Sequence, residues 1–175
     1  MISIDGLMFT ARDAAHERAL ELARRGETPP FSFEGLAMFH CGPIAQRTDH
    51  DWTIISAGPT TSSRMEMFES DFLEKFKVRI IVGKGGMGTK TTEAMRKVGA
   101  VYCAFTGGAG ALAAAAVRRV TGVEWLDLGM PEALWKMEVE RFGPLIVAID
   151  AHGNNLYEVV AANVKENFSR LLKQI

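Results

Sequence analysis

Three short stretches place a cation among small or hydroxylated residues. In "VRIIVGKGGMGTKTTEAM", residues 78 to 95, an apolar run ends in Gly83-Lys84-Gly85-Gly86-Met87-Gly88 and a helical pattern follows. Glycines let a ligand approach the backbone closely. The free N–H groups of a following helix favour an anion, and Lys84 adds a full positive charge. In "SAGPTTSSRM", Thr60, Thr61, Ser62 and Ser63 precede Arg64. Helix capping by Thr61 or Ser62 accounts for one hydroxyl. It does not account for the rest beside a guanidinium that can grip a carboxylate through two parallel bonds. In "FTARDAAH", Arg12 falls in the first turn of a helix. A cation there opposes the helix dipole unless an anion or the adjacent Asp13 compensates it.

The Gly83–Gly88 spacing also spells G-x-G-x-x-G. A dinucleotide loop needs an acidic residue about 20 positions on, at the end of the next strand. The next apolar run, "AVYCAFTGG", holds no Asp or Glu. A Walker A loop fails as well, because Gly88 is followed by Thr-Lys and not Lys-Thr. A nucleotide-binding module using residues 83–88 is a remote alternative, and a plain strand-to-helix turn with a solvated Lys84 is the simplest one.

The elements that would hold these loops follow from apolar periodicity. Strands are expected at 2–8, 35–41, 52–57, 78–82, 100–105, 120–128 and 144–150. Helices are expected at 11–24 with Thr10 as N-cap, at 62–76, at 89–98, in the Ala-rich segment after "TGGAG", and at 161–174. Met65, Phe68, Phe72 and Phe76 recur every three or four residues and read as a packed face. "ETPPF" and "HGNNLY" read as a break and a turn. Strand pairs mixed with strand–helix units imply a single α/β domain over residues 1–175, its sheet partly parallel.

The chain has 175 residues, 47% of them hydrophobic, which suffices for a real core. A net charge of −1 gives no bulk attraction to nucleic acid or to an anionic membrane. No apolar run approaches the roughly 18–20 residues of a membrane span, and "MISIDGLMFTARD" lacks the basic and apolar regions of a secretory signal. Cys41 and Cys103 form no C-x-x-C pair, and two cysteines cannot supply the three or four ligands of an iron–sulfur cluster. A reduced, cytoplasmic setting is expected. No internal repeat, low-complexity tract or linker is visible.

Taken together, "FTARDAAH", "SAGPTTSSRM" and "IVGKGGM" resemble the C-terminal domain of class I, iron–sulfur fumarate hydratases. The resemblance extends to the separate β subunit of two-subunit fumarases and L(+)-tartrate dehydratases. "GAVYCAFTGGAGAL", "EWLDLGMPEALWKMEVERFGPLIVAID" and "HGNNLY" continue it in the same order, so that it covers residues 2 to 157. Two departures stand out: "SSRME" replaces the commoner "SGRMD", and the stretch that usually leads the first strand is short.

The resemblance implies a swivelling β/β/α domain of three layers and reversible anti addition of water to a C4 dicarboxylate double bond. A [4Fe–4S] cluster, held by three cysteines of an α subunit, acts as Lewis acid, and this chain supplies no metal ligand. Arg12, Arg64 and Lys84 would clamp the substrate carboxylates. Lys84 would also stabilise the aci-carboxylate, and Thr60 would take the C3 proton. A homodimer or an α2β2 heterotetramer is implied. Fumarate hydration and L-tartrate dehydration both remain open, because the α subunit supplies part of the pocket.

Overall fold

The computed structural model describes residues 1–49 and 51–173. Its elements, in order, are β1 (Ile2–Thr10), α1 (Asp13–Arg24), β2 (Ala37–Phe39), β3 (Ile44–Arg47), β4 (Trp52–Ser56), α2 (Glu66–Phe76), β5 (Ile80–Gly83), α3 (Thr89–Val98), β6 (Val101–Ala104), α4 (Gly110–Ala115), β7 (Val117–Glu124), β8 (Leu134–Ile149) and α5 (Leu156–Leu172). A 3-10 turn over Ser62–Met65 leads into α2, and a second covers Leu126–Leu128.

β1, β2, β5 and β6 lie side by side and parallel, with Phe9 beside Met38, Met38 beside Ile81 and Ile81 beside Tyr102. β8 is antiparallel to both ends of this set. Its first part pairs with β1, as at Met8 and Met137, and its last part pairs with β6, as at Cys103 and Val147. The four parallel strands and β8 thus close on themselves, and β7 adds to β8. β3 and β4 form a separate hairpin.

Alternation along the parallel strands sorts side chains into two cores. Phe9, Met38, Ile81 and Tyr102 face α1, α2 and α3, where they pack with Ala15, Ala19, Phe72, Leu73 and Met95. Their neighbours Met8, Phe39, Val82 and Cys103 face the other way and pack with Ala45 and Ile54 of the hairpin, Ala113 of α4 and Trp135 of β8. Helices therefore cover one side of the sheet, and the hairpin, α4 and the curled β8 cover the other.

The mixed α/β class and the partly parallel sheet agree with the sequence reading. Met65 and Phe72 are fully buried, and Phe68 and Phe76 are partly so. β1 is paired on both sides, with β2 and with β8.

Several boundaries differ. Thr10 is the last residue of β1 and does not cap α1. Its hydroxyl contacts the Ala133 carbonyl and accepts from Trp135 N–H, while Arg12 takes the N-cap position. The strand expected at 144–150 begins at Leu134 and runs through Gly143-Pro144. A Cβ on Gly143 would stand 3.0 Å from the Ile2 carbonyl oxygen, so this glycine marks a close strand approach and not a break. The strand expected at 120–128 is Val117–Glu124 and ends in a 3-10 turn. β3 was not anticipated. The last helix begins at Leu156, not 161, because Asn155 accepts the Tyr157 N–H as an N-cap; residue 174 of the expected helix lies outside the described residues.

Candidate functional site

The parallel strands all end at one edge of the sheet, where α/β domains present ligand groups. β1 leads to Arg12, β2 to His40, β5 to the glycine loop and β6 to Gly107. The segment after β4 is stitched into this edge. Thr60 N–H donates to the His40 carbonyl at 2.6 Å, Lys84 N–H donates to the Thr60 carbonyl at 3.3 Å, and Ser62 N–H donates to the Lys84 carbonyl at 2.7 Å. The hydroxyl-rich turn and the Lys84 loop are thereby one piece of backbone. Gly83 is required in it, since a Cβ there would fall 1.9 Å from Ser62 Oγ.

Two of the cations named from the sequence meet at one carboxylate. Arg64 Nη2 donates to Asp13 Oδ2 at 2.8 Å, and Arg12 Nη2 stands 3.9 Å from the same oxygen. Arg12 Nε also approaches Glu132 Oε1 at 3.3 Å. Lys84 Nζ donates to Thr61 Oγ1 at 2.7 Å, and its stem passes Gly107, where a Cβ would come 3.3 Å from Lys84 Cδ. Arg12 likewise crosses Gly42, where a Cβ would meet its Nη1 at 2.6 Å. The glycines let the two long stems lie flat against neighbouring loops. The Arg12 side chain is 21% exposed and that of Arg64 is 51% exposed, so the clamp opens outward. Thr60 sits on the same turn, half-buried, but the Lys84 ammonium engages Thr61 and not Thr60.

One expected feature fails. The α3 N-terminus is not free to bind an anion, because Glu66 of α2 already caps it. Glu66 Oε2 accepts from Gly88 N–H at 2.6 Å and from the Thr91 hydroxyl at 2.9 Å, and Oε1 accepts from Thr91 N–H at 3.3 Å. A carboxylate has taken the place a phosphate would occupy in a nucleotide loop. Gly86 closes the loop further, since a Cβ there would lie 2.7 Å from the Tyr157 ring.

Beneath the clamp lies a group that sequence reading missed. His16 of α1, His40 after β2 and Glu69 of α2 are fully buried. Glu69 Oε2 is 3.0 Å from His40 Nε2 and 3.4 Å from His16 Nε2. His16 Nδ1 contacts the Arg12 carbonyl at 2.7 Å, and His40 Nδ1 contacts Ser62 Oγ at 2.9 Å. Tyr102 OH donates to Ser62 Oγ at 3.1 Å and accepts from Gly86 N–H at 3.3 Å. All three clamp loops are thus tied to this one cluster. Burial alone would push His16 down, but the Glu69 carboxylate outweighs it and holds the imidazole above its ordinary value. Burial wins at His40, which is held low. Burial would raise Glu69, but the two imidazoles hold it well below the usual carboxylate range. The three are the described residues whose ligand atoms cluster closely enough to hold a cation, all lying within 4.8 Å of one another. In "RDAAHERA" His16 has charged residues on both sides and in "MFHCGP" His40 has apolar ones, and neither segment links its histidine to Glu69.

Cys41 and Cys103 are free and buried. Burial pushes the Cys41 thiol up to about 12 and the Cys103 thiol up to about 11. Cluster iron is held by thiolates, so neither residue fits an iron–sulfur cluster. Among the described residues, no helix is long and apolar enough to cross a membrane.

The fold and site define an α/β domain that carries Arg12, Arg64 and Lys84 on loops along the edge where its parallel strands end. The chain belongs to the fumarase C-terminus family, whose sequence profile matches residues 1–160. An Escherichia coli (strain K12) protein named "L(+)-tartrate dehydratase subunit beta" is 46% identical over 165 residues, covering 94% of this chain and 79% of that protein. A Methanocaldococcus jannaschii protein named "Putative L(+)-tartrate dehydratase subunit beta" is 43% identical over 173 residues, covering 98% and 89%. A Geobacillus stearothermophilus protein named "Putative fumarate hydratase class I" is 35% identical over 176 residues, covering 100% of this chain and 33% of that longer protein.

Proposed function

We propose that this chain is the β subunit of an iron–sulfur hydro-lyase that reversibly hydrates fumarate to L-malate, with L(+)-tartrate as the second substrate reading. The observation that carries it is the junction of Arg12 and Arg64 at one Asp13 oxygen, beside the Thr60–Thr61 turn that holds Lys84. A C4 dicarboxylate would replace Asp13 as the partner of the guanidinium groups. Arg64 offers a planar fork to one carboxylate, and Arg12 adds charge from a half-buried position. Lys84 stands where negative charge develops when the C3 proton leaves, which stabilises the aci-carboxylate more than the ground state. Thr60 is the residue proposed to receive that proton. A hydroxyl is a weak base, so this role depends on polarisation by the cations of the clamp and by groups on the partner.

The helix, sheet and hairpin layers support a swivelling β/β/α domain. The [4Fe–4S] cluster belongs to an α subunit in this reading, since the buried thiols here do not fit it. The name "subunit beta" borne by the relatives supports such a partner, as does the longer class I relative in which a matching segment forms one third of the chain. The outward-facing Arg64 leaves one wall of the site to that partner, in an α2β2 or similar assembly. α5 exposes Leu156, Val160, Val164 and Phe168, the kind of surface that subunit interfaces cover. A cytoplasmic, reduced location suits the two free cysteines.

The test is to purify the chain alone and with its α subunit under anaerobic conditions, reconstitute each with iron and sulfide, and assay fumarate hydration and L-tartrate dehydration side by side. The complex is expected to be coloured and active on one of the two, and the lone chain colourless and inactive. Cluster absorption with turnover by the lone chain would overturn the two-subunit reading.

A further inference from the structure

The buried His16–Glu69–His40 cluster has a protonation state that its neighbours fix. The Arg12 carbonyl can only accept, so His16 Nδ1 must carry a proton. His16 Nε2 faces the Glu69 carboxylate at 3.4 Å, and without a second proton a lone pair would oppose an anion there. Tyr102 OH accepts from Gly86 N–H and donates to Ser62 Oγ, which leaves the Ser62 proton for His40 Nδ1. His40 Nε2 then carries a proton toward Glu69 at 3.0 Å. The set these contacts favour is imidazolium at His16, carboxylate at Glu69 and neutral imidazole at His40, held by charge across 3.4 and 3.0 Å, since His16 Nε2, His40 Nε2 and both Glu69 oxygens make no well-aligned hydrogen bond. The charged groups facing it are Asp13, which bears on both imidazoles, and Arg12, whose own guanidinium lies toward Glu132.

We propose that the His16 imidazolium–Glu69 pair is the positioning device of the cationic clamp, holding Arg12 by its carbonyl through His16 and the Thr60–Ser62 turn through His40. The inference rests on the hydro-lyase reading for its substrate. Removing the second His16 proton leaves Glu69 buried without a counter-charge, a strain that a shift of α1 against α2 would relieve, carrying Arg12 and Arg64 out of register. Substrate affinity then falls as pH rises through the His16 ionisation, while the groups that perform the chemistry keep their identity.

Kinetics of the assembled enzyme and NMR of the chain test this. In wild type, KM for the dicarboxylate should rise along a single ionisation above the ordinary imidazole value of about 6.5, with kcat changing by less than about threefold. Glu69→Gln should raise KM by a factor of about ten, the loss expected for one charge-assisted hydrogen bond, and abolish its pH dependence. Glu69→Asp should restore most of the affinity and the pH profile, which a purely structural role would not require. In the chain alone, the His16 ring resonances should titrate above the ordinary value, and the Arg12 and Ser62 amide resonances should move with the same midpoint. A wild-type KM that is flat with pH, or Arg12 and Ser62 amides unmoved by the His16 titration, overturns the proposal. Stoichiometric zinc or additional iron in the wild-type complex, lost in Glu69→Gln, also overturns it, because a metal and not a proton would then join the three ligands. If the complex turns over neither fumarate nor tartrate, the hydro-lyase reading falls, and the NMR titration still decides the positioning role.

Discussion

Arg64 Nη2 donates to Asp13 Oδ2 at 2.8 Å, so the outermost cation of the clamp already holds a carboxylate. On the proposed hydro-lyase reading, Asp13 stands where a substrate carboxylate would go and competes with it. In the assembled enzyme, Asp13→Asn should tighten inhibition by a non-reacting C4 dianion by a few-fold, about the scale of one exposed ion pair. The gain should shrink as salt is raised. Turnover should fall, because Arg64 loses the contact that aims it. Weaker inhibition at every ionic strength would show that Asp13 only braces the loop.

Lys84 contributes charge to the site and little to the core. Its ammonium rests on Thr61 Oγ1, and its stem lies along Gly107. Lys84→Met keeps the stem and removes the charge, so folding and assembly should be unaffected. kcat should drop by about two to three decades, the usual consequence of removing one positioned electrostatic group. Arg64→Lys keeps charge but loses the fork, and should weaken binding as well as turnover. Turnover of Lys84→Met within about threefold of wild type would remove Lys84 from the mechanism.

The Gly83–Ser62 approach should show as coupling between two sites. An alanine at Gly83 puts its Cβ 1.9 Å from Ser62 Oγ, and beyond that side chain the next contact is His40 Cβ at 3.4 Å. Gly83→Ala should cost about 1–3 kcal/mol by overpacking. Adding Ser62→Gly removes the obstacle, so the double variant should be less destabilised than the sum of the two singles. Denaturant melts of the four proteins read this directly, and additive effects would place the two residues apart.

The parallel strands and the loops that carry Arg12, Arg64 and Lys84 were legible because their signals are local. Each cation sits within a few residues of the glycines or hydroxyls that it uses, at the end of an apolar run. The rest depended on contacts distant in sequence. Thr10 has the residue type of an N-cap, but its hydroxyl is claimed by Trp135, far along the chain. The strand expected at 144–150 starts at Leu134 and passes through Gly143-Pro144, because β1 pairs along that earlier stretch. Glu66 looks like an ordinary first-turn acid of α2, and only the fold sets it against the N-terminus of α3. Glu69 has no local partner at all. Its two histidines come from α1 and from the end of β2, and nothing in "MEMFESDFLEKF" marks it as different from its acidic neighbours.

The same cluster fixes where the chain is most stable. Glu69 is held below its ordinary value, so its contribution is present above the unfolded carboxylate range and lost as pH falls through its folded value. His40 is held low, so between its folded value and the ordinary imidazole range the unfolded chain binds a proton that the folded chain refuses, and stability rises with pH there. His16 is held high, so its contribution is complete below the ordinary imidazole value and is lost as pH rises through its folded value. The first two effects favour higher pH and the third favours lower pH. They meet near the ordinary imidazole value of about 6.5, where unfolding free energy should peak. Urea melts from about pH 4.5 to 9 should trace that maximum. Glu69→Gln should abolish the fall on the alkaline side, since the amide no longer raises His16, while burial still holds His40 low and keeps the rise on the acid side. A wild-type profile that climbs steadily through pH 9 would mean that His16 does not carry the second proton, and the charge assignment of the cluster would be wrong.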